Sequence, residues 1–427
     1  MKKVIVTAVL LLSLSTAFAA DWASFLGPHG DGSSAESGLK LSWGEAGPPL
    51  VWEQPIGEGY TAPAIADGKL YAFDRWGDQA RLTCRDASTG DEIWRSEYAT
   101  DYEDLYDFSV GPRGAPVVDG DRVYTYGVEG KLRCHQTKDG KLLWEIDTVA
   151  RYGVVQNFFG VGSTPLIEGD LLLVMVGGSP KESPKIHSGE LQPNGSALVA
   201  FEKRSGKVRY QVGDELASYA SPVVTTIKGR RWGFLFARGG LLGFEPSSGK
   251  IDFHFPWRAK KLESVNAANP VVVGDLVMIT ESYGKGSALL RVKPGGYELL
   301  RQDGRRDQSF ASHWATPIHR DGVVYGCSGQ SSGDATLRAV DLLSGELHWS
   351  QPGMGRSTSV WVDGHLVVLG ERGKLYSVKA TKASYQLVSE SDSLVDYPAW
   401  SAPVIADGRL YIRGKKALKS YELKPPQ

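Results

Sequence analysis

The chain has 427 residues, 41% of them hydrophobic and 23% charged, with a formal net charge of −1 at pH 7. That balance supplies no electrostatic footprint for nucleic acid or an anionic membrane surface. Three cysteines with no C-x-x-C spacing exclude a cysteine-based metal site as well.

Residues 1–20 read as a secretory signal peptide. Lys2-Lys3 is its charged start, Val4–Leu14 its apolar run and Ala17-Phe18-Ala19 its small-residue cleavage site. The apolar run is too short for a membrane span, and no cysteine follows to carry a lipid. The expectation is a periplasmic or secreted protein without a lipid anchor. Residues 21–49 are rich in Gly, Ser and Pro and show no period. They are expected to form an extended arm, held on the following domain by Trp22 and Phe25.

The unit of the remaining chain is clearest at Gly114–Trp144. Pro116-Val117-Val118 starts a short strand and Asp119-Gly120 ends it, since a tight hairpin turn needs positive φ and Gly supplies it. Val123–Tyr126, Leu132–Cys134 and Leu142–Ile146 follow as three more strands, separated by Glu129-Gly130 and Asp139-Gly140. A four-stranded meander that is apolar on both faces needs a neighbour on each side, which implies a repeat architecture.

The opening residue recurs as Pro63, Pro116, Pro165, Pro222, Pro270, Pro317, Ser359 and Pro403. A large residue marks the fourth strand at Trp94, Trp144, Tyr210, Phe253, Trp349 and Tyr385, with a weaker version at Leu299-Leu300. The eighth, Trp52, precedes the first Pro. The C-terminal blade therefore borrows its fourth strand from the residues around Trp52, and the ring closes without exposed edges. The predicted fold is an all-β, eight-bladed β-propeller of four-stranded antiparallel blades over residues 50–427, one domain.

Cys84 and Cys134 take the same third-strand position in consecutive blades. Their equivalents are Ala200, Gly243, Ala339, Ser377 and Ser420, with Arg291 the exception to a small-residue rule. Packed sheets lie about 10 Å apart and a disulfide needs Cα atoms within about 7 Å, so these cysteines are packing residues. Cys327 has no partner at matching register.

Strand direction alternates, so loops entering each first strand share a face with loops between second and third strands. The long insertions 97–113, 146–162, 177–195 and 303–314 all fall there, and function is expected on that face. Three residues before each anchor stand Tyr60, Arg113, Gly162, Tyr219, Ala267, Trp314, Arg356 and Trp400, with Asn266 and His313 beside them. Tyr60, Arg113, Tyr219, Asn266, His313, Trp314, Arg356 and Trp400 are the candidate ligand-binding residues at the channel mouth. Rings and guanidinium groups suit a flat, anionic or sugar-like ligand; stacked on one another, the same groups would plug the channel. Asp101, Glu103, Asp104 and Asp107 read as a solvated acidic loop, with Ca²⁺ as the alternative. Gly329–Gly333 matches G-x-S-x-G without the strand-to-helix elbow that the nucleophile needs.

The turn-and-tryptophan pattern, Asp86–Gly90 with Trp94, Lys138–Gly140 with Trp144 and Asp341–Gly345 with Trp349, resembles the pyrroloquinoline-quinone (PQQ) repeat family. The opening DWASFLGPHGDG, with GPRGAP and HWATPIHRDG later, is similar to exported PQQ-like propellers, many named after the assembly factor BamB. The resemblance implies two functions. Dehydrogenase members hold PQQ and Ca²⁺ on the axis, using a catalytic Asp, a Ca²⁺-binding Glu and Asn, and often a disulfide between adjacent cysteines. BamB-like members are non-catalytic scaffolds that bind a barrel-insertion machine. This chain has no adjacent cysteine pair and no carboxylate among the residues three before the anchors. The reading is therefore a non-catalytic interaction protein with no catalytic residue, cofactor or metal expected. Its partner would be an envelope protein, small ligand or glycan on the long-loop face; nucleic acid and a membrane span are not expected, and it would act as a monomer. A PQQ- and Ca²⁺-dependent quinoprotein dehydrogenase is the alternative, and a carbohydrate-linked enzyme or accessory the second.

Overall fold

Each anchor opens a strand of three to five residues, from Ala64–Ala66 in blade 1 to Val404–Ala406 in blade 8. In the computed structural model, which describes residues 21–155, 158–180 and 191–426, these strands are the innermost of eight four-stranded antiparallel sheets. The sheets form an all-β ring with one short helix among the described residues, Thr148–Tyr152. The predicted signal peptide lies outside the described residues. The last blade is completed by Leu50–Pro55, which pairs with Ala417–Glu422 and sets Trp52 opposite Ser420.

Turn chemistry sets the register of the inner hairpins. Asp67-Gly68, Asp321-Gly322, Asp363-Gly364 and Asp407-Gly408 all have positive φ at both residues, the conformation that matches strand twist. In blade 2 the order is reversed. Asp119 ends the strand and Gly120, at φ 55°, opens the turn.

Cys84 faces Trp94, Cys134 faces Trp144, Ala200 faces Tyr210, Gly243 faces Phe253 and Ala339 faces Trp349. A small residue on the third strand makes room for the ring opposite. Two blades depart from the expected alignment. In blade 7 Ser377 faces Ser389, and Tyr385 pairs with Ala380 near the hairpin. In blade 5 Leu289 faces Arg301, while Arg291 pairs with Glu298. In these two blades the residue opposite is Arg301 or Ser389 and not a ring, so counting from the nearest large residue lands on a different pair. Cys84, Cys134 and Cys327 are all free and buried.

The outer rings join the blades. A Cβ added at Gly90, Gly140, Gly206 or Gly249 would lie 3.0 Å or less from the ring of Trp52, Trp94, Trp144 or Tyr210 in the preceding blade. Each ring also donates a hydrogen bond to the carbonyl of Ala87, Thr137, Lys203 or Pro246 in that same turn. Near the axis a second relay runs through the residue before each anchor. The N–H of Ala115 donates to Thr164 Oγ1, Thr164 to Ser221 Oγ, Ser221 to Asn269 Oδ1 and Asn269 to Thr316 Oγ1, all within 3.0 Å. Where blade 8 meets blade 1, the buried Arg413 guanidinium donates to Thr61 O, Thr61 Oγ1, Phe73 O and Gly57 O.

The arm crosses the face opposite the long loops. Trp22 pairs with Ile65 of blade 1, the Ala23 carbonyl accepts from Val118 of blade 2, and Ser33 bridges to Trp361 of blade 7. Trp43, further along, packs on the core shared by blades 7, 8 and 1.

Two stability predictions follow from buried polar groups. Arg413→Met takes a donor from the carbonyls of Gly57, Thr61 and Phe73, of which Phe73 O keeps the Thr61 hydroxyl. It is expected to cost roughly 2–4 kcal/mol in urea unfolding, whereas Met at the exposed Lys415 is expected to cost nothing measurable. His135 is buried, and neither ring nitrogen has a hydrogen-bond partner among the described residues. Burial, then the Arg133 charge, hold its pKa down to about 3. The unfolded chain therefore takes up a proton that the folded one refuses, and stability falls as pH drops from about 6.5 toward 3. His135→Phe should flatten that part of the melting profile.

Candidate functional site

The eight inner strands begin on the long-loop face, where residues two and three places before the anchors turn toward the axis. Ala62, Ala115, Gly162, Ala267, Ala315 and Ala402 leave the channel open, giving a cavity of about 220 Å³. Phe25 and Leu26 of the arm line it from the opposite face, so the channel is blind.

Seven of the eight candidate residues line this cavity: Tyr60, Arg113, Tyr219, His313, Trp314, Arg356 and Trp400. Asn266 does not. Its amide donates to the backbone carbonyls of Ala237, at 2.8 Å, and Trp257, at 3.3 Å, tying the blade 4–5 junction together.

The lining rings form a collar. Trp400 stands 5.0 Å from both Tyr60 and Trp314, and His313 is 4.6 Å from Trp314. Phe108 and Phe159, supplied by two long loops, continue it to Tyr219. Both tyrosine hydroxyls are engaged. Tyr60 donates to Phe108 O at 2.8 Å, and Tyr219 accepts from the Phe159 N–H at 2.7 Å. Burial pushes Tyr60 up to about 12. His313 Nε2 meets the Tyr283 hydroxyl at 2.8 Å; burial and the nearby Arg356 charge hold the imidazole down to about 4, so it is neutral at pH 7.

Both mouth arginines are held from behind by carboxylates. Arg113 Nη2 pairs with Asp104 at 2.5 Å, and Asp104 is buried, not solvated as its acidic loop suggests. Arg356 forks onto Glu371 Oε1 through Nε and Nη2 at 2.8 and 2.5 Å, and Trp400 Nε1 donates to the same oxygen at 2.9 Å. Burial opposes ionisation of Glu371, but these hydrogen bonds outweigh it and hold the carboxyl down to about 2. The Arg356 guanidinium lies 4.6 Å from the Trp400 ring and 5.1 Å from Trp314. The mouth is thus an aromatic collar whose charges are neutralised in place.

Asp104, Glu371, Phe108 and Phe159 escape a reading keyed to the anchors. One signal was available. Glu371 sits just past the second strand of its blade, where Glu281 ends the second strand of blade 5.

Fold and site together define a closed eight-bladed propeller with a blind, aromatic-collared channel. The family described as outer membrane protein assembly factor BamB, built on PQQ repeats, matches residues 78–302 and 251–386, and the chain belongs to it. No curated protein matches the chain. Among solved structures, BamB from Moraxella catarrhalis is similar at 14% identity and TM-score 0.60, covering 88% of this chain and 98% of its own. Quinohemoprotein alcohol dehydrogenase from Comamonas testosteroni is similar at 12% identity and TM-score 0.66, covering 95% and 81%. The computationally designed protein Ika8 is similar at 12% and 0.57, covering 88% and 98%. At these identities the likeness is one of fold.

The donors at the mouth do not fit a calcium-bound quinone. Asp104 and Glu371 already carry arginine partners, Asn266 is turned into the backbone, and no three His, Cys, Asp or Glu converge among the described residues.

Glu371→Gln removes the charge that Arg356 and Trp400 share. The expected loss is roughly 3 kcal/mol of stability, with a red shift of tryptophan emission as Trp400 loosens. An unchanged spectrum and midpoint would show that the pair does not order the collar.

Proposed function

We propose that this propeller is a non-catalytic interaction protein of the cell envelope, periplasmic or secreted and acting as a monomer. It would engage a partner through its long-loop face. One observation carries the reading: the charged groups at the mouth are paired internally, while large apolar side chains around it are not covered. Leu105 is 56% exposed, Phe108 48% and Tyr397 54%. Phe108 and Tyr397 both contact the Trp400 ring, at 6.0 and 6.4 Å. Exposed apolar clusters of this kind mark interaction sites on soluble proteins. The description of the matching family, outer membrane protein assembly factor, supports an envelope partner. No helix among the described residues is long and apolar enough to cross a membrane.

The double variant Leu105→Ser, Phe108→Ser tests this. It is expected to lose at least roughly tenfold affinity for the partner cross-linked to the wild-type protein in the envelope fraction, with its melting temperature unchanged. Retained affinity would remove the long-loop face from consideration. Titration with PQQ and Ca²⁺ is expected to leave tryptophan fluorescence unchanged. Saturable, calcium-dependent quenching that Arg113→Ala weakens would instead establish the quinoprotein alternative.

A further inference from the structure

On the long-loop face of blade 4, two guanidinium groups lie side by side with no carboxylate against either. Arg238 follows the strand Arg230–Phe236, and Arg258 follows Ile251–Pro256. Both donate through Nη2 to one acceptor, the Leu262 carbonyl, at 3.4 and 3.0 Å. Arg258 Nη1 also reaches the Arg238 carbonyl at 3.4 Å. Arg238 is only 8% exposed, with the Phe158 ring 5.3 Å from its guanidinium. The arginines of the mouth make the contrast plain, since Arg113 and Arg356 each have a carboxylate at 2.5 Å. Among the described residues neither Arg238 nor Arg258 has one within 4.0 Å.

Like charges side by side, one of them buried, are costly unless an anion joins them. Burial, then the Arg258 charge, push Arg238 down to about 10, and burial lowers Arg258 too. The carboxylate that acts on both is Glu215, which is engaged by the Gly239 N–H at 2.7 Å and by His254 Nε2 at 2.9 Å. Two forked guanidinium groups that share one carbonyl and have no carboxylate in contact suit an anionic carboxylate, which accepts from both. Leu262, whose carbonyl ties the pair, is itself exposed, and the exposed Tyr106 ring lies 6.4 Å from Phe158, the ring beside the Arg238 guanidinium. The pair therefore adjoins the apolar cluster of the same face.

We propose that Arg238 and Arg258 form a binding site for a carboxylate, presented by an acidic side chain of a protein segment whose apolar side chains lie on exposed apolar groups of the same face, Tyr106 among them. This inference rests on the scaffold reading of the long-loop face. It adds the sign and class of the group that the partner must bring.

The probe is a capped peptide with one aspartate between two phenylalanines, compared with its asparagine counterpart by calorimetry on the full-length mature protein. The aspartate peptide is expected to bind at least about tenfold tighter, since hydrogen bonds to a charged group contribute about 1.5–3 kcal/mol. That preference should vanish in Arg238→Gln and Arg258→Gln and be partly kept in Arg258→Lys. Arg258→Gln is expected to melt no lower than wild type without peptide, because it removes a repulsion and keeps a donor for the Leu262 carbonyl. Equal binding of the two peptides overturns the acid site and leaves the scaffold reading standing. So does an aspartate preference that survives in Arg258→Gln. Binding to neither peptide, with Arg238-dependent binding to phosphatidylglycerol vesicles, overturns it in favour of a lipid headgroup.

Discussion

The docking of an outer-strand ring onto the turn glycine of the next blade is the contact on which this ring depends. A four-stranded sheet with two apolar faces has no stable existence alone. Stacking buries the faces, but apolar burial is non-directional and does not set the angle between blades. The rings of Trp52, Trp94, Trp144 and Tyr210 do, because each fits where a turn lacks a Cβ and also donates to a carbonyl of that turn. The Thr, Ser and Asn relay beside the axis fixes the inner ends in the same way. Phe253 and Trp349 supply rings without a turn glycine beneath them, Trp349 keeping the bond to the Thr381 carbonyl, and two blades lack the ring altogether. Arg301 of blade 5 lies over Gly345 and is held by Asp303 at 2.9 Å. Ser389 of blade 7 accepts the backbone N–H of Trp43 at 2.9 Å, and the arm brings that indole to the core of blades 7, 8 and 1.

A ring pinned at both radii holds the loops that enter it, and this is what makes the mouth specific in shape. Tyr60, Trp314 and Trp400 come from three blades, yet they meet at stacking distance because their strands start at fixed points around one axis. Charges set among half-buried rings are costly unless they are paired in place. Asp104 and Glu371 meet that need for Arg113 and Arg356. The same rule makes the Arg238–Arg258 pair an exception within one face, and the apolar side chains of the long loops lie open around both.

Most of the fold was legible because its signals are local and repeated. Pro before a short apolar run, Asp-Gly or Gly-Asp after it and an aromatic beyond the next turn state a blade within one stretch of chain, and Trp52 ahead of the first anchor states how the ring closes. The misplacements at Tyr385, Leu299-Leu300 and Arg291 have one cause. The fourth-strand position of those blades holds Arg301 or Ser389, so no ring marks it and the nearest large residue misleads. The arm's place was less legible, since Gly- and Ser-rich segments carry no period. Nothing in DWASFLG tells that Phe25 and Leu26 reach the end of the channel.

The amino-acid sequence by itself determined the blade, the number of blades, the point of closure and which residues stand nearest the axis, because each follows from strand period and turn chemistry over neighbouring residues. Only the tertiary structure decided which of those residues share a cavity, that Asn266 turns into the backbone, and which carboxylates neutralise which arginines. Glu371 reaches Arg356 from across its blade, and Asp104 reaches Arg113 by a loop folding back. Electrostatic pairing depends on distance in space and on exclusion of water, and neither exists until the ring is closed.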